Sequence, residues 1–220
     1  MMKTAFAAAF AALASANSVP IYGYYPGFVQ GGNKLDISIE MFYDSICTDS
    51  AAQNQVMNDL MGTMWHGSPV FDQVSLKITY FALPYHYHSY QVTELFPYFM
   101  DLCVTSPNTC LFNAYKDYCF DNALSVLALT NMGRNDFITY WTTQVANEFG
   151  LDQATLESVY FTSSPYDVDG SSRDFFKYAS SNGVFGTPTA FVNGVMLDSV
   201  PRTVNMWLLT LEQVYQSQFK

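Results

Sequence analysis

The chain has 220 residues, half of them hydrophobic and 13% charged, with nine basic residues against nineteen acidic ones and a formal charge of −10 at pH 7. That length supports an ample core, as one domain with or without an insertion, and the composition excludes a disordered chain. So acidic a surface repels phosphate backbones and anionic lipid, which argues against nucleic acid as a partner.

Met1-Met2-Lys3 precedes an apolar run from Ala5 to Leu13 and the small residues Ala14-Ser15-Ala16. The run is too short to span a bilayer, so residues 1–16 are read as a secretory signal peptide, and no second stretch reaches membrane-spanning length. Secretion is expected ahead of the alternative, residence in the lumen of the secretory pathway, because Gln218-Phe219-Lys220 is unlike a luminal retention signal of the Lys-Asp-Glu-Leu type. Residues 17–33, dense in Tyr, Pro and Gly, read as an extended lead-in over a surface.

From Leu35, apolar Leu35, Ile37, Ile39 and Met41 alternate with Asp36, Ser38 and Glu40, the period of a strand. Val56, Met57, Leu60, Met61 and Met64 then recur at three and four residues, predicting a helix over 49–65 closed by Gly67-Ser68-Pro69. A second strand follows through Val74, Leu76, Ile78, Tyr80 and Leu83 to Pro84, making a parallel crossover unit. Residues 87–169 carry only helical spacing and read as an insertion between two parts of a sheet domain, 34–86 and 170–220. A helix ends at Asn182-Gly183, and Asn193-Gly194 joins Thr189–Val192 to Val195–Leu197 as a hairpin. A last helix runs from Thr203 to Gln218.

Four cysteines in an exported chain invite pairing. Cys103 and Cys110 flank a turn-rich connection and are expected to form a structural disulfide, leaving Cys47 and Cys119 either as thiols or joined to each other. Cys47 lies where the first strand passes into the first helix. Unpaired N–H groups and the helix dipole favour an anion at such a point, and the thiolate is the reactive form of cysteine.

Three segments share a pattern. Phe42-Tyr43-Asp44-Ser45-Ile46-Cys47-Thr48-Asp49-Ser50, Phe81-Ala82-Leu83-Pro84-Tyr85-His86 and Val184-Phe185-Gly186-Thr187-Pro188-Thr189 resemble, in this order, the active-site segment, a strand end and the proline loop of DsbA-like proteins. The resemblance implies an α/β thioredoxin-like fold with an all-helical insertion. It implies thiol-disulfide exchange with protein thiols and disulfides or small ones such as glutathione. Cys47 takes the nucleophile's place, and Pro188, in cis, faces it with the Thr187 backbone aimed at a partner chain; Thr48, Asp49 and His86 line the site.

Two departures weigh against a full dithiol cycle. Ser50 stands where a resolving cysteine would be, and a hydroxyl cannot attack a mixed disulfide to release the partner. Cys119 is the spare candidate for that task. Met41 stands where many thioredoxin-type proteins bury an acid, and Glu40 beside it is expected on the other face of the sheet. A redox-inactive peptide or small-ligand binding module on the same scaffold is the alternative. No cofactor is expected, and no metal either: His86 and His88 share a strand end without a third ligand, and His66 lies at a helix end.

Overall fold

The computed structural model describes residues 24–161 and 164–218; the signal read at 1–16 and the first part of the lead-in, 17–23, lie outside the described residues. Strand β1 (Phe28–Gly31), strand β2 (Ile37–Tyr43) and helix α1 (Thr48–Gly62) come first. A short hairpin, β3 (Met64–Trp65) and β4 (Ser68–Pro69), and one turn of helix, α2 (Val70–Gln73), lead into β5 (Val74–Tyr80). Seven further helical segments follow: α3 (Ser89–Thr93), α4 (Phe96–Thr105), a 3-10 turn (Pro107–Thr109), α5 (Phe112–Asp121), α6 (Ala123–Leu127), α7 (Arg134–Phe149) and α8 (Gln153–Ser158). The chain then returns through α9 (Val168–Ser181), β6 (Thr189–Val192) and β7 (Val195–Met196) to α10 (Val204–Ser217).

The five-stranded sheet has the order β1-β5-β2-β6-β7. β2 and β5 pair in parallel across the α1 crossover, while β1, β6 and β7 join antiparallel. Four details differ from the sequence reading. Phe28–Gly31 of the lead-in is an edge strand, with Phe28 opposite Ile78 and stacked on Phe112 at 3.9 Å; four residues ending in glycine are too few to show alternation. Helix α1 stops at Gly62, because Thr63 turns to extended backbone and His66 and Gly67, both at positive φ, close the small hairpin. Strand β5 ends at Tyr80, short of Leu83. The helical spacing read over residues 87–169 is interrupted at Asn122, between α5 and α6.

Strand alternation sorts the core into two clusters. Ile37, Ile39, Met41 and Tyr43 join the larger one, with Leu60 of α1, Trp207 of α10 and the aromatic centre of the inserted helices, Phe96, Phe99, Tyr115 and Trp141. Phe42, from the other face, packs with Phe81, Leu83, Ala179, Val184, Phe191 and Cys47. Each buried aromatic side chain contributes about 1.5–3 kcal/mol through the water it sheds. Cys47 thus belongs to the smaller cluster and not to the one that holds the aromatic centre.

One buried polar contact and one covalent link hold the inserted helices in place. Lys116 of α5 is buried and donates to Asn54 Oδ1 (2.6 Å) and Asn58 Oδ1 (3.2 Å) of α1, and burial pushes its ammonium pKa down against the pull of Asp117. Cys103 and Cys110 form a disulfide across the 3-10 turn, and closing so short a loop stabilises the fold by about 2–3 kcal/mol in the chain-entropy account.

Glu94 is the acid most affected by burial. Loss of water pushes its carboxyl up to about 7, although Arg134, which donates to both carboxylate oxygens at 3.0 and 3.1 Å, pulls it back. A carboxyl whose folded pKa lies above its unfolded one stabilises fully below the unfolded value, and that stability is lost as pH rises through the folded one. The contribution is therefore complete below about pH 4.5 and gone a little above pH 7. Glu94→Gln is expected to flatten the fall in unfolding free energy between pH 5 and 7, a difference on the order of 3 kcal/mol in urea titrations. Parallel wild-type and variant curves would contradict it.

Candidate active site around Cys47

β2 ends at Tyr43 and the chain turns before α1, with Cys47 as the N-cap residue at φ −77° and ψ 126°. Cys47 N donates to Asp44 O (3.2 Å), closing the turn, and Cys47 O accepts from Ala51 N (2.9 Å), opening the helix. The thiol caps no backbone N–H of its own helix. It points across to the loop before β6, where Sγ lies 3.8 Å from Thr187 O.

Register explains that meeting. β6 runs antiparallel to β2 with Phe42 opposite Thr189, so Thr187, two residues earlier, comes level with the turn after Tyr43. The Thr187–Pro188 peptide is cis, and Thr189 Oγ1 ties the loop back to Gly186 O at 2.8 Å. Cys47 is only 6% exposed.

Asp44 is the residue the sequence reading missed. It is fully buried, Oδ1 accepts from Ile46 N (2.9 Å) within the turn, and Oδ2 accepts from Leu83 N (2.6 Å). His86 Nδ1 lies 3.2 Å from the same Oδ2, at ion-pair distance without hydrogen-bond alignment. One carboxylate thus clamps the cysteine turn to the Leu83–His86 segment. Half of this was visible: an Asp whose side chain meets the N–H two residues on is a common turn device. The long-range half, to Leu83, has no sequence signal.

The other expected residues fall into three groups. Thr48 and Asp49 are exposed on the first turn of α1 beside Cys47. Ser50, on the same turn, is fully buried, and its hydroxyl has no hydrogen-bond partner among the described residues. Pro188 lines a cleft together with Thr187 and Asp49.

Cys119 lies elsewhere. It is buried in the larger cluster, where burial pushes its thiol pKa well up, whereas Cys47 belongs to the smaller one, and both sulfurs are free. Met41 faces the larger cluster too, and Glu40 lies on the other face, where its charge and hydrogen bonding add to burial in raising the Tyr25 and Tyr178 phenols. His88 is buried, stacked on Phe137 at 3.8 Å with Nε2 2.9 Å from Leu129 O. His66 pairs with Glu212 at 2.8 Å. The three imidazoles therefore serve three different places. No helix among the described residues is long and apolar enough to cross a membrane.

No known protein family matches the chain, and no curated protein matches it by sequence. Solved structures do match it in shape. Alpha-DsbA1 of Wolbachia pipientis superposes with a TM-score of 0.65 at 12% identity, over 90% of this chain and 94% of that one. A thioredoxin-like oxidoreductase from Silicibacter pomeroyi DSS-3 gives 0.59 at 14% identity, over 91% and 99%. Oxidised BdbD from Bacillus subtilis gives 0.59 at 10% identity, over 87% and 94%. At such identities the likeness is one of architecture, and by architecture this chain is a thioredoxin-like α/β fold carrying an all-helical insertion, as in DsbA-like proteins.

Proposed function

We propose that the chain is a secreted monothiol protein of thiol-disulfide exchange, with Cys47 as its nucleophile. The observation that carries this reading is the placement of a free sulfur at the N-cap of α1, 3.8 Å from the carbonyl that precedes a cis proline. Solved neighbours described as oxidoreductases support it at the level of fold. Export rests on the signal read at residues 1–16, and residues 87–169 make up the inserted unit.

In this reading the Cys47 thiolate attacks one sulfur of a partner disulfide, forming a Cys47–partner bond while the other partner sulfur leaves as a thiolate and takes up a proton. Thr187 and Pro188 dock the partner's backbone, with Thr48, Asp49 and His86 around it. Ser50 offers a hydroxyl where a resolving sulfur would act, so release requires an outside thiol. The burial of Cys119 in a separate cluster counts against it as an internal substitute, and the same separation counts against a redox-inactive module locked by a Cys47–Cys119 bridge.

Incubation with a model peptide disulfide, followed by non-reducing electrophoresis, tests the reading. The wild-type chain is expected to form one covalent adduct that added thiol removes, and Cys47→Ala none. An adduct that survives in Cys47→Ala would overturn the assignment.

A further inference from the structure

The turn that presents Cys47 is held from two sides. Asp44 fixes it to the Leu83–His86 segment, and Ser45 fixes it to the inserted helices. Ser45 is fully buried, and its hydroxyl donates to Ser89 O (3.3 Å) and meets Thr93 Oγ1 at 3.1 Å, both on α3. Glu94 follows Thr93 directly and caps α3, its N–H donating to Tyr90 O at 2.9 Å, and the residue is buried. One ionisable group therefore stands a single residue from the contact that seats the cysteine turn. Arg134 of α7 donates to both oxygens of Glu94. Asp169 and Arg173 of α9, bound to each other at 2.7 Å, act on it with opposite signs. The Tyr90 and Tyr160 phenols also feel its charge, and each is engaged as a donor at 2.9 Å, to Asp169 Oδ1 and to Gln91 O.

We infer that the charge on Glu94 sets, through Thr93 and Ser45, how firmly the Cys47 turn is seated, so that Cys47 captures a disulfide more slowly with Glu94 charged than with it neutral. The inference rests on the function proposed above and adds Ser45 to it as a positioning residue. Neutral Glu94 suits its dry setting and leaves α3 closed down to Thr93, with the Ser45 contact in place. Ionised Glu94 is the form that burial opposes and Asp169 repels. Because α3 has only five residues, a shift at its cap moves Thr93 and loosens the grip on Ser45. Burial pushes the Glu94 carboxyl up to about 7, which places the change between about pH 6 and pH 8. Coupling between two groups is reciprocal, so the contact that seats the turn also favours neutral Glu94.

Rates of adduct formation with the model peptide disulfide test the coupling, measured on the full chain at about pH 5.5 and about pH 8, either side of the Glu94 transition. Each comparison is made at one pH, so the titration of the thiol itself cancels. Glu94→Gln keeps an acceptor for Arg134 without the charge. It is expected to match wild type at the lower pH and to exceed it about threefold at the higher, a size common for coupling between linked groups. In the Ser45→Ala background, and in that of the isosteric Thr93→Val, the gain is expected to vanish. Carboxyl NMR of Glu94 reads the same coupling without exchange chemistry: Ser45→Ala is expected to lower its midpoint by about half a pH unit, the threefold factor seen from the other end. Equal wild-type and Glu94→Gln rates at both pH values, or a gain that survives Ser45→Ala and Thr93→Val, would overturn the inference. An unmoved midpoint overturns it too, whether or not adducts form, whereas adducts missing from every variant remove the function proposed above and leave the midpoint to decide the coupling.

Discussion

Ser50→Cys is expected to convert a chain that captures a disulfide partner and holds it into one that releases it. Ser50 lies three residues after Cys47 on the first turn of α1, where i and i+3 side chains are neighbours. It is fully buried, and its hydroxyl lacks a hydrogen bond among the described residues, so a less polar thiol loses nothing there. On the proposed function, the wild-type mixed disulfide is expected to wait for an external thiol. A thiol at position 50 attacks from within, and intramolecular placement shortens the adduct's lifetime by roughly a hundredfold or more. Stopped-flow quenching with mass readout checks this. The variant should show a transient adduct, then the released partner and an internal disulfide. An adduct as long-lived as in the wild type would show that position 50 does not face the bond to be broken.

The second large effect belongs to Asp44→Ala. Its two carboxylate oxygens satisfy Ile46 N and Leu83 N inside the protein, and Asp44 itself has no exposed surface. Truncation leaves two buried donors without acceptors, each costing about 1–3 kcal/mol. The summed loss, about 2–6 kcal/mol in urea unfolding, lowers Tm by roughly 4–24 °C in a chain of this size. Asp44→Asn, which keeps one acceptor oxygen, should lose about half as much. Because the same carboxylate holds the turn that presents Cys47, adduct formation should slow in both variants in the same order. A loss below about 0.5 kcal/mol, typical of an unconstrained surface site, would refute the clamp.

What could be read in the sequence, and what could not, follows the range of the interactions. Cys47 at a strand-to-helix junction and Asn193-Gly194 at a hairpin are set by residues within a few positions of one another, and period and turn chemistry expose them. The parallel pairing of β2 with β5 followed from the intervening helix, which leaves few other connections. Three features lay beyond that range. Edge strand β1 is defined by its partner β5 rather than by its own pattern. Asp44 looks like an ordinary turn residue until the fold brings Leu83 and His86 to its second oxygen. Arg202 is one exposed cation in an acidic chain, and only the packing of the segment before α10 beside α1 sets it in one cleft with Asp49 and Gln53. Cys119 went the other way: its residue type suggested a spare thiol, and the structure buries it in the larger cluster while Cys47 belongs to the smaller one.

The central claim, that Cys47 alone carries the reactive sulfur, is tested most directly by timed thiol labelling of the native chain with peptide-resolved mass spectrometry. Cys47 is expected to label in native conditions, reversibly with disulfide reagents, while Cys119 labels only after denaturation. Equal protection of both sulfurs until the chain unfolds, or labelling of Cys119 ahead of Cys47, would contradict it.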